Sequence, residues 1–199
     1  MLLDDEEKRK RINNFYLECG KLKNLSIYKG KNAFAFDKSK IVILTQNTNL
    51  SGTELQKILR EKYLIETEMA SADYIIAMTS IYDTDEGFSR LINALKDIDK
   101  NCIYIEKENI TLNHIPKIKI KPCKVEDMKK EFIDIENCCG KVSGEYIYAY
   151  PPGIPIISIG EVFDEKAVNT IKYLIEKGVN VVSEGNKLPF KVCCAIDTR

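Results

Sequence analysis

Lys40-Ile41-Val42-Ile43-Leu44-Thr45 opens the stretch that decides the fold, which runs on to Cys102-Ile103-Tyr104-Ile105. The opening run is continuously apolar, the pattern of a strand covered on both faces. Ser51 with Glu54 three residues later is a capping box, so a helix starts there. Leu55, Ile58 and Leu59 give that helix its apolar stripe. Ile65–Met69 and Tyr74–Thr79 read as strands joined by a short turn. A second helix begins near Asp83 or Thr84, with Glu86 available for another capping box. Its Phe88, Leu91, Ile92, Leu95 and Ile98 follow i, i+3, i+4, i+7, i+10. Cys102–Ile105 reads as the closing strand. The order is β-α-β-β-α-β, a split pattern that lays two helices on one face of an antiparallel sheet.

Upstream, Asp4–Leu22 reads as a helix with Ile12, Phe15 and Tyr16 on one face, stopped near Gly20. Leu25–Tyr28 and Ala33–Phe36 read as a strand pair across the Lys29–Asn32 turn. Downstream, Asn113-His114-Ile115-Pro116 marks a linker, and a domain boundary is expected near Asn113. The Lys117–Lys121 alternation suits a guarded edge strand. Val125–Phe132 reads as a short helix, Glu145–Tyr150 as extended and Ile156–Ile159 as a strand. Asp164 caps a helix bearing Ala167, Val168, Ile171, Leu174 and Ile175, with Gly178 as its stop. Val179–Val182 and Phe190–Ala195 finish as strands. The expected architecture is therefore α+β or α/β, with a split β-α-β-β-α-β small domain over 1–113 and a second small α/β domain over 114–199.

Composition narrows the function classes. Hydrophobic residues are 44% and charged residues 30% of 199, which excludes wholesale disorder. Thirty Lys+Arg balance thirty Asp+Glu, so neither nucleic acid nor a membrane surface is an expected partner. Ile41–Leu44 and Ile154–Ile159 fall well short of the roughly 18 apolar residues a membrane span needs. The acidic start, Met1-Leu2-Leu3-Asp4-Asp5-Glu6-Glu7, has no apolar signal region, so a cytoplasmic location is expected. Seven cysteines without a C-x-x-C read as reduced thiols, and the single histidine, His114, has no ligand at metal spacing. A zinc site would need Cys138-Cys139 and Cys193-Cys194 brought together, and no metal is expected.

No G-x-S-x-G, G-x-G-x-x-G or P-loop is present. Ser143–Glu161 stands out on physical grounds. Pro151, Pro152, Gly153 and Pro155 fix the backbone. Tyr146, Tyr148 and Tyr150 alternate ahead of them on one face of an extended strand. Gly160-Glu161 then places a carboxylate at the end of an apolar strand, suited to an ammonium or guanidinium partner. A solvated charge ahead of the next helix is the bland alternative.

Tyr150-Pro151-Pro152-Gly153-Ile154-Pro155, continued to Gly160-Glu161, resembles the Y-P-P-G-[IV]-P…G-E motif of the Orn/Lys/Arg decarboxylases. Ser51-Gly52, Leu59-Arg60-Glu61-Lys62-Tyr63, Glu66-Thr67-Glu68-Met69-Ala70, Ala77-Met78-Thr79-Ser80 and Asp83-Thr84-Asp85-Glu86-Gly87-Phe88 follow the same family in order. The resemblance implies a pyridoxal-phosphate enzyme of the aspartate-aminotransferase fold type that converts lysine, ornithine or arginine to an amine and CO2. It departs from the family in two ways. The chain has no His-Lys dipeptide, where the family's Schiff-base lysine sits in S-x-H-K, and Ile159 stands where the family has proline before Gly-Glu.

The resemblance thus implies the C-terminal part of such an enzyme, with no catalytic residue in this chain. An upstream domain would bind pyridoxal phosphate within a homo-oligomer, a dimer at least, of polyamine metabolism. By analogy Glu161 meets the substrate's distal cation, with Tyr148 or Tyr150 as a pocket wall. From the residues alone, a free-standing amino-acid-binding regulatory module or a dimerisation module stays open as the alternative.

Overall fold

Alternation along two neighbouring strands builds the first sheet. The computed structural model describes residues 2–31, 33–106 and 114–196, with side chains from residue 6 onward. Within it, β2 (Lys40–Leu44) and β4 (Tyr74–Met78) run antiparallel with Ile41 opposite Ala77 and Ile43 opposite Ile75. These four side chains share one face and are all buried. With β1 (Ser26–Ile27) and β3 (Met69–Ala70) the sheet order is β1-β2-β4-β3, wholly antiparallel.

Three amphipathic helices close on this sheet: α1 (Leu2–Cys19), α2 (Gly52–Tyr63) and α3 (Asp85–Asn101). Ile12 and Phe15, Leu55 and Leu59, and the Phe88–Ile98 stripe join Ile41, Ile43 and Ile75 in one core. The Ser51–Glu54 capping box forms as expected. Gly52 packs against the sheet so closely that a Cβ would lie 2.2 Å from the Tyr74 carbonyl oxygen.

Four expectations for this region are corrected. β2 is buried on one face only, because Val42 and Leu44 on the other face stay half-exposed. Ala33–Phe36 is not a strand: β1 takes β2 as its partner, Phe34 is fully exposed, and Phe36 instead stands edge-on to Tyr28 at 5.4 Å. The cap of α3 is Thr84, whose hydroxyl accepts the Gly87 amide, so Glu86 falls one residue short of a capping box. Cys102–Ile105 contributes one isolated bridge, Thr48 to Tyr104, in place of a strand. Its backbone bonds to the Asn47–Asn49 loop, and Ile103, Tyr104 and Ile105 are exposed.

The chain divides into two units, Met1–Glu108 and Asn109–Arg199; the boundary expected near Asn113 lies outside the described residues. The second unit contains α4 (Pro122–Val125), β5 (Lys130–Asp134), a 3-10 turn at Ile135–Asn137, β6 (Val142–Ser143), β7 (Ile147–Ala149) and β8 (Ile154–Ile157). α5 (Glu165–Glu176), β9 (Val181–Ser183) and β10 (Lys191–Ala195) complete it. Two antiparallel sheets, β5-β10-β6 and β8-β7-β9, share a core of Ile135, Ile147, Ile157, Phe163, Ile171, Val192 and Cys194.

The helix expected over Val125–Phe132 stops at Val125. As a strand, Lys130–Asp134 turns Ile133 inward opposite Val192 and leaves Phe132 exposed on the other face. Among the described residues Lys117–Lys121 likewise makes a single bridge, Ile118 to Glu161. The whole remains the mixed α/β architecture with antiparallel sheets that the sequence implied.

Candidate functional site

β8 delivers the chain into the Ser158–Val162 turn, which holds Glu161. Three segments converge on it. The Ser143 amide donates to the Glu161 carbonyl at 2.7 Å and the Gly160 amide to the Ser143 carbonyl at 2.9 Å. The Lys119 and Ile120 amides both donate to the Gly160 carbonyl, and the Val162 amide to the Lys117 carbonyl. Gly160 is required here: its φ is +88°, and a Cβ would lie 2.0 Å from the Ile120 carbonyl oxygen.

Glu161 is 8% exposed. Its Oε2 accepts the Ser158 amide at 2.7 Å, closing the turn from within. Among the described residues no donor reaches Oε1. A largely buried carboxylate whose second oxygen takes no donor among the described residues favours a cationic or hydrogen-bond-donating group at that oxygen.

The tyrosines occupy the neighbouring sheet. Tyr148 is half-buried in β7, opposite Pro155 and Val182, and Tyr150 is exposed at the end of β7 with its amide donating to the Asn180 carbonyl. Among the described residues no hydrogen bond joins either hydroxyl to Glu161, so the three are not linked into one network.

Two features of this unit went unread in the sequence. Glu145 is 3% exposed and bridges two backbone segments: Oε2 accepts the Gly185 amide and Oε1 the Cys193 amide, each at 2.7 Å. The expected extended run Glu145–Tyr150 put residue 145 on the same side as Ile147, whereas in the structure residue 145 lies in the bend that precedes β7. The second is His114, whose Nε2 lies 2.5 Å from Asp164 Oδ2 while Asp164 Oδ1 accepts the Ala167 amide at 2.8 Å. The Asp164 carboxyl is held below its ordinary value. Burial opposes that shift most strongly, and the Ala167 amide and His114 outweigh it. A pair of residues 50 apart in sequence leaves no local signature.

The described residues do not build a pyridoxal-phosphate site. The one histidine is engaged by Asp164, no His-Lys dipeptide exists, and Gly160 is filled by the Ile120 carbonyl rather than open to a phosphate. Among the described residues no group of three or more His, Cys, Asp or Glu side chains is placed to hold a metal ion. Nor is any helix long and apolar enough to cross a membrane.

Residues 108–182 match the Orn/Lys/Arg decarboxylase C-terminal domain. The chain is 28% identical over 154 residues to an arginine decarboxylase of Bacillus anthracis, and 27% identical over 155 residues to that of Bacillus subtilis. These matches cover 74% and 76% of this chain but 31% and 32% of the relatives, so the chain spans about a third of their length.

Among solved structures, the Francisella novicida lysine decarboxylase superposes on 98% of the chain with a TM-score of 0.70 at 14% identity, using 40% of its own length. The constitutive lysine decarboxylase of Escherichia coli covers 97% with a TM-score of 0.66 at 15% identity, again over 40% of that chain. At such identities these likenesses establish the fold.

Proposed function

Starting from a chain that resembles the C-terminal part of the Orn/Lys/Arg decarboxylases, we propose that it supplies substrate recognition to a pyridoxal-phosphate-dependent decarboxylase of basic amino acids. The observation that carries this reading is the half-satisfied Glu161 carboxylate, set at the end of the Tyr150–Glu161 string that resembles the family motif. A site that holds a buried charge for a cationic group discriminates strongly against ligands lacking one. Glu161 Oε1 would accept from the distal ammonium or guanidinium group, with Tyr148 or Tyr150 lining the approach.

When bound, pyridoxal phosphate supplies the electron sink for loss of CO2. The residues described here do not hold it, so the reading assigns it, with the catalytic lysine, to a further part of the functional enzyme. These 199 residues by themselves are then expected to be inactive. The arginine decarboxylase relatives favour arginine as the first substrate to assay, ahead of lysine and ornithine. In this reading the enzyme is a cytoplasmic homo-oligomer.

The test is Glu161→Gln in the complete enzyme. A loss of more than about tenfold in kcat/KM for the preferred basic amino acid is expected, equivalent to about 1.4 kcal/mol. Unchanged kcat/KM for arginine, lysine and ornithine overturns the role. If the 199-residue chain alone is thermally stabilised by one of these amino acids in a saturable way, it is instead a self-sufficient binding module.

A further inference from the structure

We infer that the open edge of β5 is a self-docking surface, through which two copies of this chain join their β5-β10-β6 sheets antiparallel about a two-fold axis centred on Phe132. β5 occupies the end of its sheet, and among the described residues its backbone pairs with β10 alone. Four of its five residues are exposed and Ile133 is half-buried.

The ladder fixes which backbone groups face outward. The Ile135 amide donates to the Phe190 carbonyl and the Ile196 amide to the Lys129 carbonyl, both in register with the Lys191–Asp134 to Ala195–Lys130 pairing. Odd-numbered residues of β5 therefore point their amides and carbonyls at β10. Lys130, Phe132 and Asp134 point theirs into open solvent.

Those three residues are complementary to their own reverse. An antiparallel pairing with Phe132 opposite Phe132 of a second copy sets Lys130 opposite Asp134 and Asp134 opposite Lys130. Every outward amide then meets a carbonyl, the two Phe132 residues lie opposite each other with each ring beside its own Gly185, and opposite charges face each other at both ends. The strand contains no proline to interrupt such a ladder. Exposed charges on an edge strand often serve to repel other strands. Here the signs alternate about the centre so that self-pairing is the one antiparallel register they favour. The inference is independent of the decarboxylase reading, since it uses no ligand and no catalytic residue.

The test uses the 199-residue chain in sedimentation equilibrium and amide exchange by NMR. A monomer–dimer equilibrium is expected, with the Lys130, Phe132 and Asp134 amides gaining protection as concentration rises while Glu131 and Ile133 are protected throughout. Lys130→Glu sets acid against acid at both ends and should weaken the dimer about tenfold or more. Adding Asp134→Lys to it restores opposite charges and should recover the affinity, which a merely structural role for either residue would not produce.

A chain that stays monomeric at millimolar concentration overturns the inference, as does a dimer indifferent to Lys130→Glu or protection that rises at odd rather than even positions. Because the amide-exchange readout needs only the unmodified chain, it decides the question even if a variant misfolds.

Discussion

Glu145 Oε1 accepts the backbone amide of Cys193 at 2.7 Å from a position only 3% exposed to solvent. Its other oxygen holds Gly185, so one side chain ties the start of β7 to both β10 and the turn after β9. The Ser143 hydroxyl, donating to the Glu145 carbonyl at 2.7 Å, fixes the bend that turns the carboxylate inward. Glu145→Ala leaves two amides without a partner and is expected to cost about 3 kcal/mol in chemical denaturation. Glu145→Gln keeps one acceptor and should lose clearly less. Equal losses in the two variants would show that the hydrogen bonds are not what stabilises this junction.

Gly160→Ala is expected to destabilise the second unit by about 2 kcal/mol or more, from the left-handed backbone and the clash with Ile120 together. The Lys119 and Ile120 amides, both bound to the Gly160 carbonyl, should exchange faster in this variant. An alanine variant with native stability and unchanged exchange at those two amides contradicts the tight turn described for Glu161.

In the first unit, Glu18 joins α1 to α3 through Lys96 at 2.6 Å and pairs with Lys21 at 2.8 Å. The hydrogen bonds from Lys21 and Lys96 pull its carboxyl down from 4.5 to about 2. A carboxylate with a depressed folded-state pKa adds stability that is present above its ordinary pKa and is lost as pH falls through the folded value. Urea stability should therefore fall between pH 4.5 and about 2, and fall less steeply in Lys96→Met. An identical pH dependence in wild type and variant rules the pair out as a contributor.

Six of the seven thiols should separate into two classes, with Cys102 half-buried between them. Cys123 and Cys139 are exposed, whereas Cys19, Cys138, Cys193 and Cys194 are buried. Burial pushes Cys138 up to about 11 and Cys19 and Cys194 up to about 12. An aromatic disulfide reagent at neutral pH should modify Cys123 and Cys139 quickly and the buried four only after denaturant is added. Fast native-state modification of Cys194 would contradict its place in the core.

What the sequence made legible follows from local periodicity. The α3 stripe from Phe88 to Ile98, the Ser51–Glu54 box and the Asp164 cap each state their structure within a few residues, and each formed. Errors arose where the outcome depended on a distant partner. Ala33–Phe36 has strand composition yet does not pair with the edge strand β1, whereas Lys130–Asp134 is a strand because β10 lies beside it.

Asp99 shows the same limit on the polar side. It continues the α3 stripe four residues after Leu95, yet its carboxylate accepts the Lys23, Asn24 and Leu25 amides from a loop about 75 residues earlier. The candidate site was half-legible: the string around Glu161 pointed to it, while the Lys117–Ile120 segment that grips its turn gave no sign.

The division of labour between the two oxygens of Glu161 has a consequence for how preference could drift among relatives of this chain. Oε2 is committed to the turn through Ser158, and Oε1 takes no donor among the described residues. An amide in place of the carboxylate can still accept the Ser158 N–H with its oxygen and present its NH2 at the other position. That exchange turns an acceptor into a donor, and a demand for cations into a demand for anions or carbonyls, on an unchanged backbone. Ligand polarity at this turn is thus an independently variable character, separable from the loop that displays it.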